Sequence, residues 1–181
     1  MNSISTRIVI ESEISAELDR EIRSLLCECF PADAGEFSQQ RAWHNSLPAY
    51  SVIARDDGNL VGQIGIVQRE VRVGGCLLLV AGVQNFCVRK SHRGMGLSRD
   101  LMRIAMAEAA AREIPFGMLF CLPELEKIYV PMGWTTNAAV VEMRDEHGSR
   151  TPLPDKNITM IADLTPQRFP DGPIDLMGRD W

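Results

Sequence analysis

The sequence holds no CxxC pair, and its cysteines (Cys27, Cys29, Cys76, Cys87, Cys121) share no metal-ligand spacing with His44, His92 or His147. That excludes the usual structural metal sites, and no metal is expected. An odd number of cysteines scattered through apolar segments also speaks against a disulfide framework. It fits reduced, buried thiols in a reducing compartment. No basic stretch followed by an apolar one opens the chain (MNSISTRIVIES), so no secretory signal is read there. The longest apolar run, around Leu77 to Val83, is far too short to cross a bilayer. There is no basic excess either: the net charge of −5 and pI near 5.2 disfavour nucleic acid as a partner. Internal repeats and low-complexity segments are absent. These absences point to a cytoplasmic protein with neither a membrane nor a nucleic acid as partner.

What is present is ordinary in amount and informative in order. The 181 residues, 45% apolar and 24% charged, suit a single domain, residues 1–181, with a real hydrophobic core. Arg7 to Glu11 reads as a strand. From Ser15 to Phe30, Leu18, Ile22, Leu25, Leu26 and Cys29 recur at helical spacing, and Pro31 stops the helix. Residues 32–46, with Trp43, read as a loop and a weaker helix. Tyr50–Ala54, Leu60–Val73 and Cys76–Val88 are strands, joined by the turns Asp56–Asn59 and Gly74–Gly75. Leu97 to Arg112 is helical, Phe116 to Cys121 a short strand, and Glu124 to Val130 a helix opened by Pro123 and closed by Gly133-Trp134. Two late strands, Ala138–Arg144 and Ile158–Leu164, are joined by a polar loop, and residues 165–181 form an irregular tail. The class is α/β, a mixed and mostly antiparallel sheet flanked by helices.

One stretch stands out: VRKSHRGMGLSRDL, where the fourth strand enters a helix. Helix N-termini leave backbone N–H groups without partners, and the helix dipole adds positive potential there. Glycines let such donors approach an anion closely. Gly94 and Gly96 bracket the helix start, with Arg89, Lys90, His92 and Arg93 just before them. This is a pyrophosphate-sized anion site, or else a basic turn with no ligand. It is no Walker loop, since GxxxxGK[ST] is absent, and GMGLSR lacks the third glycine of a dinucleotide fingerprint.

The same stretch resembles the acyl-CoA-binding segment of the GNAT superfamily of N-acetyltransferases. The superfamily pattern Arg/Gln-x-x-Gly-x-Gly/Ala is met by Arg93 and Gly96, with Ser98 in the last place as a departure. VGGCLLLVAG, GLS, IPF and GPIDLMG are similar to nodulation N-acyltransferases, which acylate chito-oligosaccharide amines. Tyr129-x-x-x-Gly133-Trp134 and the final Asp180-Trp181 are similar instead to aminoglycoside 2′-N-acetyltransferases.

The resemblance implies direct transfer of an acyl group, most simply acetyl from acetyl-CoA, to a small-molecule amine. The phosphates would lie on the turn from Arg93 through Gly94, Met95, Gly96, Leu97 and Ser98. The pantetheine arm would pair with Phe86-Cys87-Val88, where a main-chain N–H polarises the thioester carbonyl. Tyr129 stands where a family tyrosine protonates the departing thiolate; the competing assignment is a core tyrosine. Where the aminoglycoside enzymes carry a Glu, this chain has Gln84, which cannot take a proton but can hold a water. Glu36, Glu124 and His44 remain candidate bases. Cys87 and Cys121 offer an acyl-cysteine route or are structural thiols, and His92 reads as a solvated turn residue. Trp43 and Trp181 are candidate walls for the acceptor, while Trp134 suits the core. Asp171, Asp175, Asp180 and the carboxylate of Trp181 collect negative charge suited to a cationic amine, if the tail is not frayed. The rival readings are a longer acyl chain delivered to an amino sugar, and a silent acyl-CoA-binding module. A homodimer is compatible with the resemblance.

Overall fold

Ser15 sets the first helix: its hydroxyl accepts the Leu18 N–H at 3.1 Å. Helix α1 (Ala16–Cys29) then buries Ile22, Leu25 and Leu26 against Val9, Phe37, Ile53, Leu60 and Cys87. Each large apolar side chain so buried stabilises by roughly 1.5–3 kcal/mol. This helix belongs to the first of two compact units in the computed structural model, which describes residues 4–181. The first unit comprises Met1–Ile66 and Gln84–Ala105, the second Val67–Val83 and Met106–Trp181.

In the first unit, β1 (Ser5–Ile10) runs antiparallel to β2 (Tyr50–Asp56), and β2 to β3 (Asn59–Val73). A short helix α2 (Ala34–Phe37) follows α1. The loop after it is fastened by Arg41, whose side chain is 8% exposed and pairs with Asp19 at 3.0 Å and with Glu11. A buried guanidinium is tolerated only with such partners. Strand β4 (Cys76–Val88) leads into α3 (Leu97–Ala111), which buries Leu97, Leu101, Met102, Ala105 and Ala109. The Tyr50 hydroxyl donates to the Ala105 carbonyl at 2.8 Å.

The second unit is a mixed sheet in the order β6-β9-β5-β4-β3-β10-β7-β8. The new strands are β5 (Phe116–Cys121), β6 (Thr135–Asn137), β7 (Val141–Arg144), β8 (Arg150–Pro152), β9 (Ile158–Asp163) and β10 (Ile174–Asp175). Only β4–β5 and β10–β7 are parallel among the described ladders. Its core gathers Val71, Val73, Val80, Phe116, Met118, Ile161, Ile174 and Leu176. The class is therefore the expected mixed α/β. No helix among the described residues is long and apolar enough to cross a membrane.

Three sequence readings need correction. The polar loop after β7 contains β8, because the Asp145 carboxylate accepts the His147 and Ser149 N–H groups at 2.8 Å and closes a hairpin. The tail is not irregular throughout. Ile174–Asp175 inserts between β3 and β7, and Asp175 is neutralised there by Arg144 at 2.8 Å and Arg150 at 3.2 Å. The helix read over Glu124 to Val130 shrinks to α4 (Glu126–Tyr129) between two 3-10 turns, ending at Gly133.

Candidate active site

The glycine turn is where the sequence placed it. Gly94 and Gly96 hold φ of 78° and 82°, the left-handed region that favours glycine. Arg93 donates from Nε to the Val88 carbonyl at 2.9 Å, so its guanidinium is pinned to the end of β4. Gly94, Met95 and Gly96 are exposed, while Leu97 is buried and anchors the helix start. The Asp100 N–H bonds back to the Gly96 carbonyl at 3.2 Å, so helical bonding begins at once. The N–H groups before it have no preceding carbonyl within the helix. Ser98, half-buried, adds no bulk to the approach. These residues fit a phosphate group. His92 is not merely solvated: Nε2 lies 3.1 Å from Asp56 and Nδ1 2.9 Å from the Ser91 hydroxyl.

Upstream, β4 carries an irregularity at Asn85, whose φ of 51° is rare for a residue within a strand. Its surroundings hold it there. Gln63 donates to its carbonyl at 2.6 Å, and its own amide donates to the Arg41 carbonyl at 2.7 Å. Gln84, 3% exposed, accepts the Trp43 N–H at 3.3 Å and donates to the Ser46 carbonyl at 2.5 Å. Its amide thus braces the loop ahead of β2 against β4. Beyond the irregularity, Phe86 is half-buried, and Cys87 and Val88 are buried. The ladder between β4 and β5 covers only Val80–Phe116 to Gly82–Met118.

Tyr129 closes α4, its ring tilted edge-on to Trp134 at 6.4 Å between centroids. Trp134 is 1% exposed and packs on Gly117, so it is a core residue. Burial pushes the Tyr129 phenol up to about 12, and the nearby Cys121 adds to the shift. Burial likewise lifts Cys121 to about 11, with Glu126 and Glu124 contributing. Both groups are protonated at neutral pH. Tyr129 can donate a proton; Cys121 is a poor nucleophile. Cys87 is also held well above the ordinary thiol range, first by its hydrogen bond to Cys29 and then by burial. Neither thiol has the character an acyl-cysteine route requires. Of the candidate bases, Glu36 and Glu124 are exposed, and His44 sits in left-handed backbone at φ 49°. Not every thiol is buried, contrary to expectation: Cys76 is exposed, and Cys27 and Cys29 are half-buried.

Trp43 stacks edge-on against Phe37 at 4.9 Å, within the first unit. Trp181 belongs to the second and is 7% exposed. Its ring meets Phe120 at 5.1 Å between centroids and lies under the Arg69 guanidinium at 5.2 Å. Arg69 in turn donates to the Arg179 carbonyl and interacts with Asp180. So the tail is packed rather than frayed at this point. A Cβ at Gly82 would lie 2.3 Å from Trp181 Cε2, closer than any real contact. Gly82→Ala should therefore displace the indole and destabilise by about 1–3 kcal/mol. Thermal unfolding with tryptophan fluorescence tests this; an unchanged melting temperature would mean the ring is not seated on β4.

Gln84, Phe86–Val88, the glycine turn and Trp43 thus fall in the first unit, and Tyr129, Asp180 and Trp181 in the second. Sequence reasoning missed the part played by Asn85 and Arg41. An Asn inside an apolar strand was the available signal for the first.

A family model described as an acetyltransferase (GNAT) domain matches residues 13–136. Nodulation protein A of Sinorhizobium terangae is 28% identical over 94% of this chain and 88% of its own length. Nodulation protein A of Bradyrhizobium elkanii is 33% identical over 52% of this chain, a match spanning only 45% of that protein. Among solved structures, the Escherichia coli GNAT family N-acetyltransferase YhbS in complex with CoA superposes with a TM-score of 0.69 at 18% identity. That match covers 97% of this chain and 91% of that one. Escherichia coli ElaA gives 0.64 at 15% identity, covering 89% of this chain and 100% of its own. With the family model spanning about two thirds of its length, the chain belongs to the GNAT acetyltransferase family.

Proposed function

We propose that this protein is an acyl-CoA-dependent N-acyltransferase, acting in the cytoplasm as a single acyltransferase domain and transferring acetyl from acetyl-CoA to a small, cationic amine. The observation that carries the reading is the strand-to-helix turn, with Arg93 pinned to β4 and Gly94 and Gly96 in left-handed backbone ahead of a 15-residue helix. The CoA complex of YhbS supports it.

In this reading the N–H groups of Gly94 to Ser98 and the Arg93 guanidinium hold the phosphates. A main-chain N–H at Phe86 or Cys87 meets the thioester oxygen, which gains negative charge as the amine attacks the carbonyl carbon. Such a donor contributes on the order of 10²–10³ in rate. As the C–S bond breaks, Tyr129 supplies a proton to the thiolate. Gln84, whose amide is committed to Trp43 and Ser46, acts by position: it holds the β4 irregularity and the loop together. The amine's proton leaves to water or arrives already lost.

The second reading, a longer acyl chain delivered to an amino sugar, is favoured by the extent of similarity to the Sinorhizobium protein. Calorimetric titration separates the readings. Acetyl-CoA and 3′,5′-ADP should bind at micromolar affinity, about −8 kcal/mol, and NAD should give no heat. Silence with acetyl-CoA and heat with palmitoyl-CoA selects the second reading. Silence with both overturns the enzyme assignment.

A further inference from the structure

Asp56 closes β2, and within the first unit its Oδ2 lies 3.1 Å from His92 Nε2. His92 Nδ1 lies in turn 2.9 Å from the Ser91 hydroxyl. Ser91 and His92 belong to the 3-10 turn Lys90–His92, which runs directly into Arg93 and Gly94. The Asp56 and His92 side chains are 28% and 16% exposed, whereas Ser91 is open to solvent. A chain of three polar groups thus runs from the end of β2 to the surface beside the glycine turn.

Donor and acceptor roles along the chain follow from its chemistry. A carboxylate only accepts, so Nε2 must carry a proton. The other carboxylate oxygen, Oδ1, is buried with no hydrogen-bond partner among the described residues, so no second donor shares its charge. In the neutral ring Nδ1 then accepts, and the Ser91 hydroxyl spends its one proton there. Ser91 would present only lone pairs outward, which repel an anion. In the doubly protonated ring Nδ1 donates, and the hydroxyl proton is released to point outward.

We propose that Ser91 is a further phosphate ligand of the glycine turn, engaged when His92 takes up a proton and Asp56 holds the resulting imidazolium. The proposal rests on the acyl-CoA reading of that turn and adds to it one residue and one linked proton. The proton passes from water to Nδ1. Ser91 Oγ then accepts from the ring and donates its own proton, in a hydrogen bond, to a phosphate oxygen. Imidazole suits this part, since its charge changes within the physiological range. The other charged groups of these two segments are Asp57, beside Asp56, and Lys90 and Arg93 on the turn itself. Arg93 is turned to the Val88 carbonyl, Arg89 to Glu28 at 3.1 Å and Arg55 to Glu21. Asp56 is therefore the anion that meets the ring.

The test is calorimetry of 3′,5′-ADP binding to the full-length protein in Hepes and in Tris, whose ionisation heats differ. It is run at about pH 7.5, where a phosphate monoester is already largely doubly ionised. Wild type should take up protons on binding, so its affinity should fall as pH rises. His92→Gln should lose the uptake, and Ser91→Ala should weaken binding by about tenfold or more. Asp56→Asn keeps the size and loses the charge; it should lose the uptake too, which a merely structural contact would not change. Binding by wild type without proton uptake overturns the proposal and leaves the phosphate turn standing. Uptake that survives in His92→Gln, or full affinity in Ser91→Ala, does the same. No heat from wild type at all removes the phosphate site itself, and the proposal with it.

Discussion

Tyr129→Phe should lower turnover by roughly 10²-fold or more while leaving the affinity for 3′,5′-ADP unchanged. The phenylalanine keeps the ring that meets Trp134 and removes only the hydroxyl. Ring packing is thus preserved, and a loss of turnover without a loss of stability belongs to proton donation. The pH profile carries a second, sharper signature. Burial holds the phenol at about 12, so the donating form is full across the neutral range and is lost only as pH rises through that value. Tyr129 therefore contributes no limb to the turnover profile below about pH 10, the ordinary tyrosine value. Any descending limb nearer neutrality belongs to another group and should persist in the variant. A proton moving from so weak an acid to a thiolate goes uphill, so the hydroxyl acts late, as the C–S bond parts. If Tyr129→Phe lowers the melting temperature and leaves turnover intact, the residue is a core tyrosine and the acid lies elsewhere.

What the sequence revealed and what it hid divide along a physical line. Helices α1 and α3 were legible because their buried faces repeat at helical spacing, and the hairpin turns because Asp-Gly and Gly-Gly carry their own geometry. The glycine turn was legible for the same reason: its chemistry is local. Strands β8 and β10 were not, being three and two residues long. They exist because of partners distant in sequence, the Asp145 turn for one and the Arg144–Asp175 pair for the other. The partners of Gln84 were hidden in a similar way. As a residue type in a catalytic position it implied a held water. Its partners, Trp43 and Ser46, lie 41 and 38 residues away, and no local pattern shows that its amide bonds to them.

Gly96→Val should weaken binding of acetyl-CoA and 3′,5′-ADP by about 10²-fold while lowering the melting temperature by only a few degrees. The two halves of that expectation have separate origins. At φ 82° a branched side chain is strained, by roughly 1–2 kcal/mol or more, and the chain relieves the strain by leaving the left-handed region. That movement redirects the N–H groups at the start of α3, and each charge-assisted hydrogen bond so lost is worth about 1.5–3 kcal/mol. Two such bonds account for the loss of affinity, since 1.4 kcal/mol is tenfold. Stability falls by little more than that strain, because nothing lies within 4 Å of where the Cβ would stand, and Leu97, not Gly96, anchors the helix. Gly82→Ala is the internal contrast: it meets Trp181 in the core and should lower stability instead. Calorimetry and thermal unfolding on the pair distinguish a binding turn from a packing glycine. If Gly96→Val binds 3′,5′-ADP as tightly as wild type, the turn holds no phosphate, and the arrangement of Arg93, Gly94 and Gly96 is only the shape of a strand entering a helix.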